Sequence, residues 1–154
     1  MLTAVLRPVR PADLDQVVRL CADHAAYERA DPPPDGLAAR LAEAWAGPDR
    51  WCLVVDAGDG RLVGYAGCAR EYNLELGDYA HLDCLYLDQA WRNRGIGARL
   101  VAAVRAEAAA RGLRTVRWQT PDWNGDAIRF YDRRAAGIPT VQLTLPATGP
   151  VRAA

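Results

Sequence analysis

The sequence of 154 residues contains no lysine, and all nineteen of its basic residues are arginine. That excludes a Schiff-base lysine and the phosphate-binding lysine of a P-loop. Long apolar runs are missing too, since none approaches the roughly 18 residues of a membrane-spanning helix. Nineteen acidic residues cancel the nineteen basic ones, so no global field draws the chain to nucleic acid or to an anionic membrane. Histidine is limited to His24 and His81, and the four cysteines, Cys21, Cys52, Cys68 and Cys84, form no Cys-x-x-Cys pair. No metal site is expected, and the cysteines read as small buried residues in a reducing compartment. Met1–Pro8 carries charge and proline where a signal peptide carries an apolar run. The expectation is a cytoplasmic protein that is neither secreted nor inserted in a membrane.

What is present, 51% hydrophobic and 25% charged residues, suits one globular domain over residues 1–154. Thr3–Arg7 reads as a strand stopped by Pro8. Leu14, Val17, Val18, Cys21 and Ala25 recur at helical spacing, which predicts a helix from about Ala12 to Arg29. The three prolines of Asp31-Pro-Pro-Pro-Asp-Gly36 cannot continue it. A second helix carries Leu37, Leu41, Ala44 and Trp45 on one face and ends at Gly47-Pro48. Trp51–Asp56 and Arg61–Glu71 are strands around the turn signal Ala57-Gly-Asp-Gly60. Tyr79–Leu87 is a further strand. Ile96, Leu100, Val104 and Ala108 share one face of a helix stopped by Gly112. Thr115–Gln119 is a strand, Asn124 caps a helix through Arg134, and Thr140–Leu145 is expected as a last strand. Three antiparallel strands before a β-α-β crossover predict a mixed sheet with helices on both faces. The five tryptophans, Trp45, Trp51, Trp91, Trp118 and Trp123, read as core or rim aromatics.

Arg92-Asn93-Arg94-Gly95-Ile96-Gly97-Ala98 is the most informative stretch. Two glycines allow close approach of a ligand, and the following helix turns its free N–H groups to the same spot. Arg92, Arg94 and Arg99 add charge there. The loop fits a pyrophosphate cradle, and it equally fits a tight strand-to-helix turn with solvated arginines. It has neither the Gly-Lys-Ser/Thr of a P-loop nor the third glycine of a dinucleotide fold.

Arg92-x-x-Gly95-x-Gly97 resembles the Arg/Gln-x-x-Gly-x-Gly/Ala signature of the GNAT superfamily of N-acetyltransferases. Trp123-Asn-Gly-Asp-Ala-Ile-Arg-Phe-Tyr131 resembles that superfamily's Asn-x-x-Ala-x-x-Phe-Tyr segment. Ala26-Tyr27-Glu28, His81-Leu-Asp83-x-Leu85-Tyr-Leu87 and Phe130-Tyr-Asp-Arg-Arg134 are similar to the diamine (spermidine/spermine) branch, and the resemblance runs from about Val5 to Leu145. It implies a GNAT fold of the α/β (α+β) class. The sheet would have six to seven mostly antiparallel strands, with four helices on both faces, and would splay between strands four and five.

The resemblance also implies roles. Acetyl transfer from a thioester to an amine needs a neutral nucleophile, a polarised carbonyl and a protonated leaving thiolate. Asp83 falls where the branch places a glutamate base; being one methylene shorter, it suits a relay through water. Leu85, Tyr86 and Leu87, the loop Arg92, Asn93, Arg94, Gly95, Ile96, Gly97 and Ala98, and Asn124 are implied to bind acetyl-CoA. Tyr131 is implied both to bind the cofactor and to donate a proton to the departing sulfur. Tyr27, Glu28 and Asp83 are implied to contact a cationic acceptor, with Asp31 and Asp35 on the loop beyond. A homodimer is implied, with the last strand, carrying Val141, Leu143 and Leu145, meeting its copy at the sheet edge. The branch has a second acidic residue after its base, and here that position is Cys84.

The expected function is transfer of an acetyl group from acetyl-CoA to the amine of a small molecule in a ternary complex. Candidate acceptors are a diamine, an amino acid or an antibiotic-like amine. The alternatives are a protein or peptide acceptor, a carrier-protein thioester as donor, or an acyl-CoA-binding module without catalysis.

Overall fold

In a computed structural model describing residues 3–138 and 140–149, the chain forms two compact units that divide between Gln119 and Thr120. The first unit carries a five-stranded sheet of β1 (Val5–Pro8), β2 (Arg50–Asp56), β3 (Leu62–Asn73), β4 (Gly77–Leu87) and β5 (Val116–Arg117). The strands lie side by side in chain order. The first four are antiparallel neighbours, and β5 is parallel to β4. The mixed α/β sheet expected from the element order is therefore present.

Helices α1 (Leu14–Tyr27) and α2 (Leu37–Ala46) follow β1, and α3 (Ile96–Ala110) joins β4 to β5. They cover opposite faces of the sheet. On one face Val17 and Leu20 of α1 pack with Cys52, Val54, Leu62 and Tyr65, and Leu41 and Trp45 of α2 join them. On the other, Ile96, Leu100, Val104 and Ala108 of α3 pack on Leu53, Val55, Val63, Ala66 and Leu82. These are the four α3 positions predicted from helical spacing. The period-2 alternation of β2 splits its side chains between the two cores, Leu53 and Val55 to one and Cys52 and Val54 to the other.

The end of α1 departs from expectation. A 3-10 turn, Pro11–Asp13, precedes the helix, which stops at Tyr27 without a glycine. Arg29 takes the left-handed conformation, φ 58°. Its N–H donates to the Ala26 carbonyl and the Ala30 N–H to the Ala25 carbonyl, the paired bonds of a Schellman cap. A non-glycine residue in that conformation costs about 1–2 kcal/mol, offset here by two satisfied carbonyls. The prolines thus come after a stop made by the backbone.

In the second unit, α4 (Gly125–Asp132) begins at Asn124, whose side chain accepts from the Ala127 N–H. The last strand is a correction: Thr140–Leu145 has no strand geometry, and Val141, Leu143 and Leu145 are exposed. Apolar alternation supplies one face of a strand, but a strand exists only as a ladder, and no described strand pairs with this segment. The described residues hold five strands instead of the expected six or seven.

β1, the start of α1 and the β2–β3 turn are tied at one point. Arg7 donates to both oxygens of Asp13, at 2.7 and 3.0 Å, and to Asp56 at 3.1 Å. Asp13 is held below its ordinary value of 3.8, first by the Arg7 hydrogen bond, and Asp56 is also lowered, first by the Gly58 N–H. Both carboxylates therefore stabilise the fold fully above about pH 4, and that contribution fades as pH falls through their lower folded-state values. Asp13→Asn should cost about 2–3 kcal/mol in urea unfolding at pH 7, with a smaller deficit at pH 3. An equal deficit at both pH values would exclude the ion pair as its cause.

Candidate active site

The pairing of β4 changes along its length. On its inner side it pairs with β3 from Asn73↔Gly77 to Gly64↔Leu87, with one slip: Gly67 faces Cys84 while Cys68 faces Leu82. Asp83 is the extra residue, a β-bulge. On its outer side β4 pairs with β5 only at Ala80 and His81. From Leu82 onward no strand among the described residues lies along the outer edge, which is the expected splay.

Backbone direction follows from two hydrogen bonds. The Asp88 N–H donates inward to Val63 and the Ala80 N–H outward to Thr115. Alternation from Asp88 turns the N–H groups of Leu87 and Leu85 to the open edge, and alternation from Ala80 turns out that of Leu82. The two series meet only because the bulge inserts Asp83. The side chains of Leu82, Leu85 and Leu87 lie on the α3 face, while those of Cys84 and Tyr86 lie on the α1 face. The Asp83 carboxylate is half exposed, and His81 Nδ1 is 3.6 Å from it. The same nitrogen is 2.9 Å from Glu71, which also accepts from the Tyr79 hydroxyl at 2.7 Å. Those two contacts, the tyrosine's first, hold the Glu71 carboxyl below the usual carboxylate range.

At the start of α3, Gly95 takes φ 76° and provides no side-chain cap. The first-turn N–H groups of Ile96, Gly97 and Ala98 have no carbonyl within the helix to bond. A Cβ on Gly95 would meet nothing within 4 Å. The donors that this turn offers are backbone N–H groups. Its arginines are engaged: Arg99 donates to the Ala4 carbonyl, and Arg94 lies 5.3 Å from the Trp91 ring. Arg92 turns to the other side, its Nε donating to the Leu87 carbonyl at 2.8 Å. Its guanidinium lies 4.5 Å over the Tyr27 ring and 5.6 Å over Tyr86. Asn93 is left-handed, φ 59°.

Tyr27 and Glu28 sit at the capped end of α1, next to the β4 residues through these contacts. Glu28 Oε1 is 3.2 Å from His24 Nε2. Burial pushes the Cys84 thiol up to about 11, so the position after Asp83 is uncharged near neutral pH. Asp31 and Asp35 are exposed on the loop after α1. Asn124 and Tyr131 lie in the second unit, Asn124 as the buried cap of α4 and Tyr131 edge-on to Phe130 at 5.3 Å. Among the described residues no group of three or more His, Cys, Asp or Glu side chains is placed to hold a metal, and no helix is long and apolar enough to cross a membrane.

A model of the acetyltransferase (GNAT) family matches residues 17–137. The chain belongs to that family. A thialysine N-epsilon-acetyltransferase of Sus scrofa is 25% identical over 140 residues, 85% of this chain and 82% of that protein. A spermidine/spermine N(1)-acetyltransferase-like protein of Homo sapiens is 27% identical over 139 residues, 85% of this chain and 20% of that protein. The matched stretch spans only 20% to 38% of the length of three of the curated relatives. Among solved structures, the aminoglycoside N-acetyltransferase AAC(6')-Iy in complex with CoA superposes with a TM-score of 0.83 at 16% identity, over 96% of this chain and 97% of that one.

Sequence reasoning passed over three residues of this region. Gly64, opposite Leu87, has no room for a Cβ, which would lie 2.8 Å from the Tyr86 carbonyl and 2.9 Å from Leu87 Cδ1. His24 continues the buried α1 series seven residues after Val17, and Glu71 meets His81 across the β3–β4 ladder. Gly64→Ala should therefore distort the end of β4 and cost about 1–3 kcal/mol in denaturant unfolding. Gly67→Ala, where a Cβ would meet nothing within 4 Å, should stay within about 1 kcal/mol of wild type. Equal costs at the two positions would sink the close-approach explanation.

Proposed function

We propose that this protein is an N-acetyltransferase that moves an acetyl group from acetyl-CoA to the amine of a small molecule, by direct attack in a ternary complex. The open outer edge of β4, with its Leu85 and Leu87 N–H groups beside the backbone cradle of α3, carries the reading. Support for a small cationic acceptor comes from the exposed Asp83 carboxylate and from Glu28 at the end of α1. The relatives named for thialysine and spermidine/spermine acetylation agree with it. The family match extends across both compact units, which supports one functional domain.

Acetyl-CoA, when bound, supplies an activated thioester. Ile96, Gly97 and Ala98, with the loop residues Arg92 to Gly95, hold the pyrophosphate through backbone N–H groups. The Leu85 and Leu87 N–H groups hold the arm and the carbonyl oxygen, where negative charge develops. Tyr86 is part of this edge, and Asn124 contacts the cofactor arm. Asp83 takes the ammonium proton through an ordered water, a distance suited to its short side chain. Tyr131 binds the arm and donates its phenolic proton to the departing sulfur. Tyr27 and Glu28 receive the acceptor. The enzyme acts in the cytoplasm as a homodimer, for which light scattering at micromolar concentration is the check: a monomer there would refute the dimer.

The acceptor differs from that of the polyamine enzymes, because Cys84 replaces a second carboxylate. Loss of one charged hydrogen bond is worth about 10–150-fold in affinity. A screen with acetyl-CoA, read by thiol release, should find short diamines, amino acids or antibiotic-like amines turned over with higher kcat/KM than spermidine. A tenfold or greater preference for spermidine, about 1.4 kcal/mol, would overturn this. Silence with every amine but turnover of a peptide would move the acceptor to proteins. With an active amine in hand, Tyr131→Phe should lower kcat by about 10–10⁴-fold, and Gly97→Val should weaken acetyl-CoA binding in calorimetry. A Tyr131→Phe enzyme with near-normal kcat would transfer the donor role to water.

A further inference from the structure

We infer that His24 is a positioning residue: it holds the Glu28 carboxylate in place as a neutral hydrogen-bond donor, leaving the carboxylate's charge available for an ammonium group of the acceptor. The inference rests on the reading of Glu28 as an acceptor contact. His24 is buried on the inner face of α1, one turn before Glu28, the i,i+4 spacing that brings two side chains together. Both ring nitrogens are engaged. Nδ1 is 3.0 Å from the Tyr65 hydroxyl of β3, and Nε2 is 3.2 Å from Glu28 Oε1. The ring stacks on Tyr86 of β4, with centroids 5.2 Å apart.

These contacts set the proton positions. A carboxylate only accepts, so Nε2 carries the hydrogen and donates to Glu28. In a neutral ring Nδ1 is then the acceptor, so the Tyr65 hydroxyl donates to it. Tyr65 is itself buried, in the cluster against which Cys21 of α1 and Cys84 of β4 pack. A directed chain runs from Tyr65 of β3 through His24 to Glu28 at the end of α1. Burial lowers the His24 pKa below its ordinary 6.5; Glu28 opposes that shift and the nearby Arg92 charge adds to it. The choice of partner matters. An arginine or imidazolium at this place would neutralise Glu28, whereas a neutral imidazole fixes its direction and leaves the negative charge unspent.

Long-range proton–nitrogen correlation spectra of the uniformly 15N-labelled full chain test this directly, since His81→Gln assigns the only other imidazole. His24 should appear as the Nε2–H tautomer and titrate below 6.5. In Glu28→Gln it should titrate lower still, because a charge that favours imidazolium is gone. An Nδ1–H tautomer, or a titration that Glu28→Gln does not move, overturns the inference whatever the enzyme acetylates. Kinetics on an amine from the screen give a second test. His24→Leu combined with Tyr65→Phe removes both partners and so leaves no orphaned hydroxyl. It should raise the acceptor KM by about tenfold and keep kcat and the acetyl-CoA KM within about twofold. His24→Gln, which keeps a donor near Glu28, should restore much of the affinity. A loss in kcat with an unmoved acceptor KM overturns the positioning role. If no amine is turned over, the acceptor reading fails, and the spectra still decide the inference about His24.

Discussion

Beyond His81 the outer edge of β4 has no neighbouring strand among the described residues, and most of what is distinctive in this molecule depends on that loss of pairing. A sheet interior satisfies every backbone donor, so it has none to give a ligand. Here β5 keeps only two residues of ladder, and the rest of β4 is left with donors facing outward. One acceptor on the same edge is already used: the Leu87 carbonyl takes the Arg92 Nε–H. That contact also draws the guanidinium over Tyr27 and Tyr86, so one arginine ties the strand's end to the end of α1.

The bulge at Asp83 is the second half of the same device. A strict period of two would send the side chains on its two sides to opposite cores. One inserted residue brings Leu82 and Leu85 to the α3 core together, turns the Asp83 carboxylate out, and leaves Cys84 and Tyr86 facing α1. Tyr86 thereby becomes the surface on which His24 stacks. The outward turn of the Leu85 and Leu87 N–H groups and the placing of Tyr86 against His24 both depend on this single slip in register.

The order of elements, the faces of α3 and the glycine turn were legible in the sequence because each rests on local chemistry. Spacing of 3.6 places Ile96, Leu100, Val104 and Ala108 together wherever the helix lies, and Gly95 marks a left-handed turn by its own freedom. The features that failed to show are those decided by partners. Thr140–Leu145 alternates as a strand does yet pairs with no described strand. Arg29 ends α1 in a conformation that its residue type does not announce. The bulge left a trace, two core leucines three residues apart in an alternating strand, but such a break can also mean a strand's end. His24 lay in plain view at helical spacing from Val17. Its meaning depends on Tyr65, forty-one residues away, and no local pattern links the two.

The charges around these elements are sorted by kind as well as by place. On the proposed reading, the attraction for an anion at the start of α3 comes first from backbone dipoles, with Arg94 beside the Trp91 ring and Arg99 bonded to the Ala4 carbonyl. On the α1 face the negative charges keep neutral or shared partners. Glu28 meets a buried imidazole, Asp83 shares His81 with Glu71, and Glu71 is held ionised chiefly by a phenol. Arg92 lies beside this face, turned to the rings of Tyr27 and Tyr86 and to a carbonyl. On the function proposed above, a chain with zero net charge can therefore present an anion-seeking turn and a cation-seeking face at once. The cost is that each charge must be oriented by groups that do not cancel it, which is why tyrosine hydroxyls, histidine rings and backbone N–H groups stand at these positions where opposite charges would have given stronger pairs and no site.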